Sequence, residues 1–321
     1  MALTLREMYE TYVQTNHTIQ ESTKARTRRA FLPFLMLAGD VPADKLSRAD
    51  VAAYQSALLK AGKATTTVNS YTAQVSAVFG WFVGLGILDS NPFIGSRKVR
   101  EPRREVSFYE ATEMDRLFEA IEALAWRDPT ARIRLRAIVM MAYHAGLRIG
   151  EILNLRWLDI DLENALVKVQ YRPTKPGEWW AWGSKGLADR AVPMSQELLE
   201  HYYRLQVVCP WMYPHLPAAR CRTLQRKAEK LSEATRKWPC NNLYRLLNRV
   251  KRYAGISEGA FHELRRTAAT ELSERLQPTD LQKLMGHKSF ATTQRYIGVR
   301  HSRYLDATRE AMNARCHTKD Q

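Results

Sequence analysis

Two short stretches hold a dense set of groups able to act on a phosphate: "FHELRRTAAT", Phe261 to Thr270, and "LMGHKSFATTQRYIGV", Leu284 to Val299. His262 and Arg265 stand three residues apart, so on a helix both project from one face. From that face a guanidinium can hold two phosphate oxygens while an imidazole exchanges a proton beside it. Arg266 faces elsewhere and suits a backbone-phosphate contact or the surface. His287 follows Gly286, the glycine expected to stop the short helix in "LQKLMG". Tyr296 then lies on or at the end of a further helix that Ser289 or Thr292 can start. Taken singly, Tyr296 reads as a packing aromatic or as a nucleophile, and the H-x-x-R pair as ordinary helix surface or as a phosphate grip.

Two groups upstream extend the same chemistry. In "HAGLRIGEILNLRWLDID", Gly146 can end one helix and Arg148 begin the next, with Ile149, Ile152, Leu153 and Leu155 available for burial. A cation at a helix N-terminus opposes the macrodipole and needs a partner. Glu151 is one candidate, and a phosphate held jointly by the arginine and the helix end is another. Lys185 occupies a turn between strands in "WGSKGLADRAVP". There it can be a solvated charge, a point charge on phosphate, or a general acid if neighbouring arginines lower its pKa.

Groups so far apart in sequence need a scaffold, and hydrophobic periodicity supplies mostly helices. From Leu5 to Leu88 apolar residues recur at three- and four-residue steps, with N-cap chemistry at Asp50 and Thr65 to Thr67 and stops at Gly62 and Gly86. "LDSNPF" closes that run as a turn. "GSRKVREPRREVSF", Gly95 to Phe108, has no helical stripe and reads as a basic linker whose Arg97, Lys98, Arg100, Arg103 and Arg104 either line DNA or are solvated. Beyond it come "YEATEMDRLFEAIEAL" and "TARIRLRAIVMMAYHAG", the second a buried helix by its apolar later half. Alternation at Val167, Val169 and Tyr171, followed by "RAVP", marks a small antiparallel sheet. Helix returns after Ser195, broken by "CPWMYPHLP", to which no element is assigned.

Composition narrows the partner. The 321 residues suffice for two domains, and 45% hydrophobic with 26% charged residues is ordinary for a globular chain. The 49 Lys and Arg against 33 Asp and Glu leave a formal +16, which favours a polyanion. No apolar run approaches the ~20 residues of a membrane span, and "MALTLREMYETYVQT" has no signal-peptide core, so nucleic acid is preferred to lipid. Cys209, Cys221, Cys240 and Cys316 show no metal-binding or disulfide spacing, consistent with a reducing cytoplasm.

In combination the order and spacing of Arg148, Lys185, His262, Arg265, His287 and Tyr296 resemble the active-site set of the tyrosine recombinases, the phage integrase family. The matching pieces are "AGLRIGEILNLRWLDID", "SKGLADRAVPM", "HELRRTAAT" and "LMGHKSFATTQRYI". "TTTVNSYTAQVSAVFGWFVGLGILDSNP" resembles the last helices of the family's core-binding domain, so the likeness runs from about Thr65 onward. The resemblance implies that Tyr296 attacks a DNA phosphodiester, leaving a 3′-phosphotyrosyl link and a free 5′-hydroxyl without metal, nucleotide or other cofactor. It also implies that Arg148 and Arg265 each give paired N–H donors to the nonbridging oxygens. His262 would take the phenol proton, Lys185 would protonate the leaving 5′-oxygen, and His287 would bond the same oxygens or position Tyr296. Lys175, in "RPTKPGEWWAWG", is a lesser substitute for Lys185.

The expected fold is mainly α with a small antiparallel sheet, in a two-domain DNA clamp: a helical core-binding domain over 1–95, a basic linker over 96–107 and the catalytic domain over 108–321. Expected partners are duplex DNA with specific sites and further copies of the chain, four in a synapse, with DNA-bending accessory proteins and no membrane. The expected setting is the cytoplasm, at the nucleoid. The same chemistry in a monomer would give a type IB topoisomerase, and the fold without chemistry a DNA-binding regulator. The tail, with Tyr304, Ala307 and Ala311 on one face, can dock on a neighbour or fold back, and the segment 202–241 matches no motif of the family.

Overall fold

The computed structural model describes residues 3–19, 21–100, 107–170, 189–218, 221 and 241–297. Contacts divide the chain into two units, Met1–Arg104 and Glu105–Gln321.

The first unit is helical: α1 (Leu5–Thr15), α2 (Glu21–Ala38), α3 (Arg48–Lys60) and α4 (Thr65–Gly84). Thr4 starts α1 through a reciprocal cap, its hydroxyl accepting from the Glu7 N–H while the Glu7 carboxylate accepts from the Thr4 N–H. For α3 the N-cap is Ser47 rather than Asp50, which stands at the third helical position and reaches back to the Ser47 N–H at 2.8 Å. The Thr65–Thr67 run lies inside α4, whose N-cap is Ala64. Gly62 and Gly86 follow the ends of α3 and α4 with positive φ, as their place in the sequence required. Phe34 is the hub of the core, meeting Tyr54, Phe79 and Phe93 at ring-centroid distances of 5.2, 6.3 and 5.4 Å. Burial of each such ring contributes roughly 1.5–3 kcal/mol.

The basic stretch after Gly95 does not leave this unit at once. Asn69 on α4 exchanges two hydrogen bonds of 2.9 Å with the backbone of Val99, and Gln55 on α3 donates to the Arg97 carbonyl at 3.3 Å. Arg97, Lys98 and Arg100 are exposed, while Arg103 and Arg104 lie outside the described residues.

In the second unit α5 (Ala111–Ala123), α6 (Pro129–His144), α7 (Ile149–Asn154) and α8 (Gln196–Val208) are followed by α9 (Asn241–Tyr253), α10 (Phe261–Ser273), α11 (Pro278–Met285) and α12 (Phe290–Gln294). Helix α6 is buried along Ala137–Ala142 and packs against α5, α8 and α10, which gives it the central place that its apolar half foreshadowed. Three antiparallel strands, β1 (Ile160–Asp161), β2 (Leu166–Val169) and β3 (Arg190–Pro193), form a sheet in that order. Val167 pairs with Val192, and Val167, Val169 and Val192 face the core. Tyr171 and the Trp-rich run after it lie outside the described residues. The patch "CPWMYPHLP" is a packed turn: Tyr213 and Leu216 are buried, and the Tyr202 hydroxyl meets His215 Nε2 at 2.6 Å. No described helix is long and apolar enough to cross a membrane.

Candidate active site

Helix α6 ends at His144, and Gly146 turns the chain with φ +63°. A side chain there would meet Met285, because an added Cβ falls 2.8 Å from its Sδ. Arg148 follows as the N-cap of α7. Glu151, at the third helical position, accepts the Arg148 backbone N–H at 2.8 Å and its guanidinium at 3.0 Å. The partner offered by the sequence is therefore engaged, but it is shared.

The Glu151 side chain is fully buried, and Arg190 on β3 grips both its oxygens at 3.2 and 2.8 Å. Arg265 stands 3.8 Å away on the same carboxylate. Burial alone would raise the Glu151 pKa; the hydrogen bonds and charge of Arg190, then the charge of Arg265, outweigh it and hold the carboxyl below its ordinary value. Three arginines around one carboxylate leave two positive charges uncompensated within this cluster. An anion is what such a cluster attracts.

The same three arginines hold the end of α11. Arg190 Nε donates to the Leu284 carbonyl at 2.8 Å, Arg265 to the Met285 carbonyl at 2.5 Å, and Arg148 to the Gly286 carbonyl at 3.3 Å. Consecutive carbonyls at a helix C-terminus lack helical partners and form the negative end of its dipole, so cations suit them. Gly286 takes the left-handed conformation, φ +60°, that turns the chain toward His287.

Arg265 and His262 both lie on α10, with different exposure. The Arg265 side chain is 1% exposed and donates also to the Gly146 carbonyl at 2.5 Å and to His287 Nε2 at 3.1 Å. Burial, then the charge of Arg148, lowers its pKa to about 9, so it stays protonated at neutral pH. Its fork is thus occupied by its own chain, which differs from the expected pair of free donors; in this arrangement it contributes charge from beneath. Arg148, 36% exposed at its side chain, is the accessible fork. His262 is exposed, and its pKa is lowered by the crowding of its ring and then by Arg266, Arg265 and Arg148, which keeps it neutral at pH 7. Arg266 turns away to Glu263 and Ser107, at 3.1 and 3.4 Å.

His287 has one assignable tautomer. A guanidinium only donates, so Nε2 accepts from Arg265, and Nδ1 carries the proton and donates to Thr293 Oγ1 at 3.0 Å. Burial, then Arg265 and the other cations, lowers the His287 pKa to about 4. Gln282 pins the same residue, its side chain donating to the His287 carbonyl at 3.0 Å. The imidazole stacks on Tyr296, centroids 5.8 Å apart and planes 19° off parallel. Tyr296 follows α12, is 6% exposed, and packs with Ala269, Leu281 and Met285.

The structure therefore brings Arg148, Arg265, His287 and Tyr296 together, with His262 exposed on the helix that carries Arg265. Lys185 and Lys175 lie outside the described residues. Arg190 was not singled out from the sequence, although a signal was present: in β3 it shares the parity of buried Val192, and a charge on the buried face of a strand needs a partner. Thr293 and Gln282 carried no such signal. Among the described residues no group of His, Cys, Asp and Glu forms a metal site.

The chain resembles known proteins in sequence and in fold. Residues 107–303 match the model of the phage integrase family. The chain is 26% identical over 308 residues to tyrosine recombinase XerC of Lactobacillus leichmannii, covering 92% of this chain and 95% of that protein. Its fold resembles that of the Tn1549 transposon integrase in complex with transposon right end DNA, with TM-score 0.71, 18% identity, and 97% and 99% of the two chains covered. It also resembles lambda integrase, as a tetramer bound to a Holliday junction, with TM-score 0.66, 19% identity, and 92% and 78% covered.

Proposed function

The chain belongs to the phage integrase family of tyrosine recombinases, and on that premise we propose that it cleaves and rejoins duplex DNA at specific sites through a 3′-phosphotyrosyl bond to Tyr296. The observation that supports this reading is the Arg148–Arg190–Arg265 cluster on one buried carboxylate, uncompensated by two charges and joined through His287 to the Tyr296 ring.

In the proposed reaction the Tyr296 oxygen bonds to phosphorus as the bond to the 5′-oxygen breaks. A phenol with a pKa near ~10 is a weak nucleophile, so a base must take its proton. His262, exposed and neutral, suits that role. Lys185 gives a proton to the departing 5′-oxygen. Arg148 meets the nonbridging oxygens, and Arg265 stabilises their added charge from below. For His287 the tautomer and the stacking favour positioning Tyr296 over donating to the phosphate. The ester conserves bond energy, so a 5′-hydroxyl from a second strand can reverse the step without ATP, metal or other cofactor.

The first unit serves as a core-binding domain over 1–95, and 96–107 as the basic connection to a catalytic domain over 108–321, the two closing on DNA. Arg97, Lys98, Arg100, Arg103 and Arg104 contact the backbone. Four copies on two sites, with DNA-bending proteins where the system needs them, would integrate, excise or resolve DNA in the cytoplasm at the nucleoid. The test uses nicked duplexes drawn from DNA flanking the protein's own gene. A denaturant-resistant protein–DNA adduct is expected with the parent protein and none with Tyr296→Phe; an adduct that survives the substitution refutes the assignment.

A further inference from the structure

We infer that Arg190 is a positioning residue of this site, one that fixes the Glu151 carboxylate and so sets where Arg148 and Arg265 stand. The inference rests on the recombinase reading above. Arg190 lies on β3, is 8% exposed at its side chain, and joins three segments by three donors: Nε to the Leu284 carbonyl on α11, and the two terminal nitrogens to the two oxygens of Glu151 on α7. Arg148 and Arg265 bind that same carboxylate and the next two carbonyls, Gly286 and Met285. Arg190 thus occupies the inner position of an arginine series whose outer member, Arg148, is open to solvent.

The physical argument concerns competition for one anion. A carboxylate has about four acceptor positions, and Arg190 takes one on each oxygen with planar, bidentate geometry. Without that fork, the buried Glu151 charge would draw Arg148 and Arg265 inward, since a buried carboxylate that loses a partner seeks another. Both would then stand further from a phosphate on the site's open face. The position needs arginine: a lysine offers one nitrogen on a flexible stem and does not span two oxygens and a carbonyl. Misplacement of a transition-state contact by about 1 Å can cost ~10²-fold in rate without equal loss of binding.

The test compares the parent with Arg190→Lys and Arg190→Gln, and with Glu151→Gln alone and combined with Arg190→Gln. Readouts are the adduct rate on the nicked duplex at saturating protein, the Kd for the intact duplex, and the folded fraction from urea curves, to which rates are normalised. Expected are falls of roughly 10–100-fold for Arg190→Lys and about 10²–10³-fold for Arg190→Gln, with Kd changed less than about threefold. The double variant should be no slower than the slower single one, because both act through one carboxylate. A parent-like rate for Arg190→Lys, losses that multiply in the double variant, or a Kd that weakens as much as the rate would each overturn the inference. Failure of both Arg190 variants to fold would make the residue a scaffold element and overturn it as well. A parent protein that forms no adduct would instead sink the recombinase reading, and this inference with it.

Discussion

Replacing Gly146 by alanine should damage the site from behind, with no group near DNA altered. Two costs are readable. An alanine forced to φ +63° carries the left-handed penalty of roughly 1–2 kcal/mol. Its Cβ would also stand 2.8 Å from Met285 Sδ and 3.2 Å from its Cε, an overpacking that costs about 1–3 kcal/mol. The sum is about 2–5 kcal/mol, or roughly 4–20 °C in Tm for a unit of this size. Activity should fall further than stability, because the Gly146 and Met285 carbonyls both hold Arg265 and would be pushed apart. Urea denaturation and adduct formation below the transition are the assays. Met285→Ala removes the clashing atoms, so in the double variant the steric part should cancel while the φ part stays, giving less than additive destabilisation. A Gly146→Ala protein within 0.5 kcal/mol of the parent by the general threshold for innocuous substitutions, with normal adduct rate, would refute the reasoning.

Other outcomes follow from the same geometry. If His262 accepts the phenol proton, cleavage should be flat near pH 7 and fall on acidification with a midpoint below the ordinary histidine value, since its pKa is lowered; an acid limb centred above pH 7 in a pH–rate profile contradicts the role. Thr293→Val leaves the His287 Nδ1 proton without an acceptor, so stability should drop about 1–3 kcal/mol and adduct formation should slow; unchanged values for both would count against the assigned tautomer. His215, buried beside Tyr202, has its folded pKa pushed down to about 3 by burial, so its contribution is complete above the unfolded value of ~6.5 and is lost as pH falls toward 3. Urea midpoints should show that part of the acid slope missing in His215→Gln, and an identical slope would refute it. Duplex binding should weaken steeply with salt, and a flat log–log plot would argue against phosphate neutralisation.

Much of this was legible from local spacing. The stops at Gly146 and Gly286, the shared helix of His262 and Arg265, the departure of Arg266 and the buried α6 all depend on helical periodicity and on glycine's freedom at positive φ. The caps lie a few residues from the expected positions: Ser47 and Asp50 both reach the same turn of α3, and α4 starts from its N-cap Ala64 without a side-chain cap, ahead of the threonine run. The basic stretch after Gly95 showed its charge but not its attachment. Only the fold of the first unit puts Asn69 opposite Val99.

By itself the sequence determined the kinds of groups, their order, and the local turns and helices that carry them. The tertiary structure alone decided how they share partners. Glu151 is bound by arginines 3, 39 and 114 residues away along the chain; helical spacing selects the first, Arg148, but no local rule selects Arg190 or Arg265. It also decided that Arg265 is spent on Gly146, Met285 and His287 while Arg148 stays open, and that His287 accepts rather than donates at Nε2. The reason is physical: spacing governs which side chains share a face of one helix, whereas a buried charge is satisfied by whatever packing brings beside it from other elements.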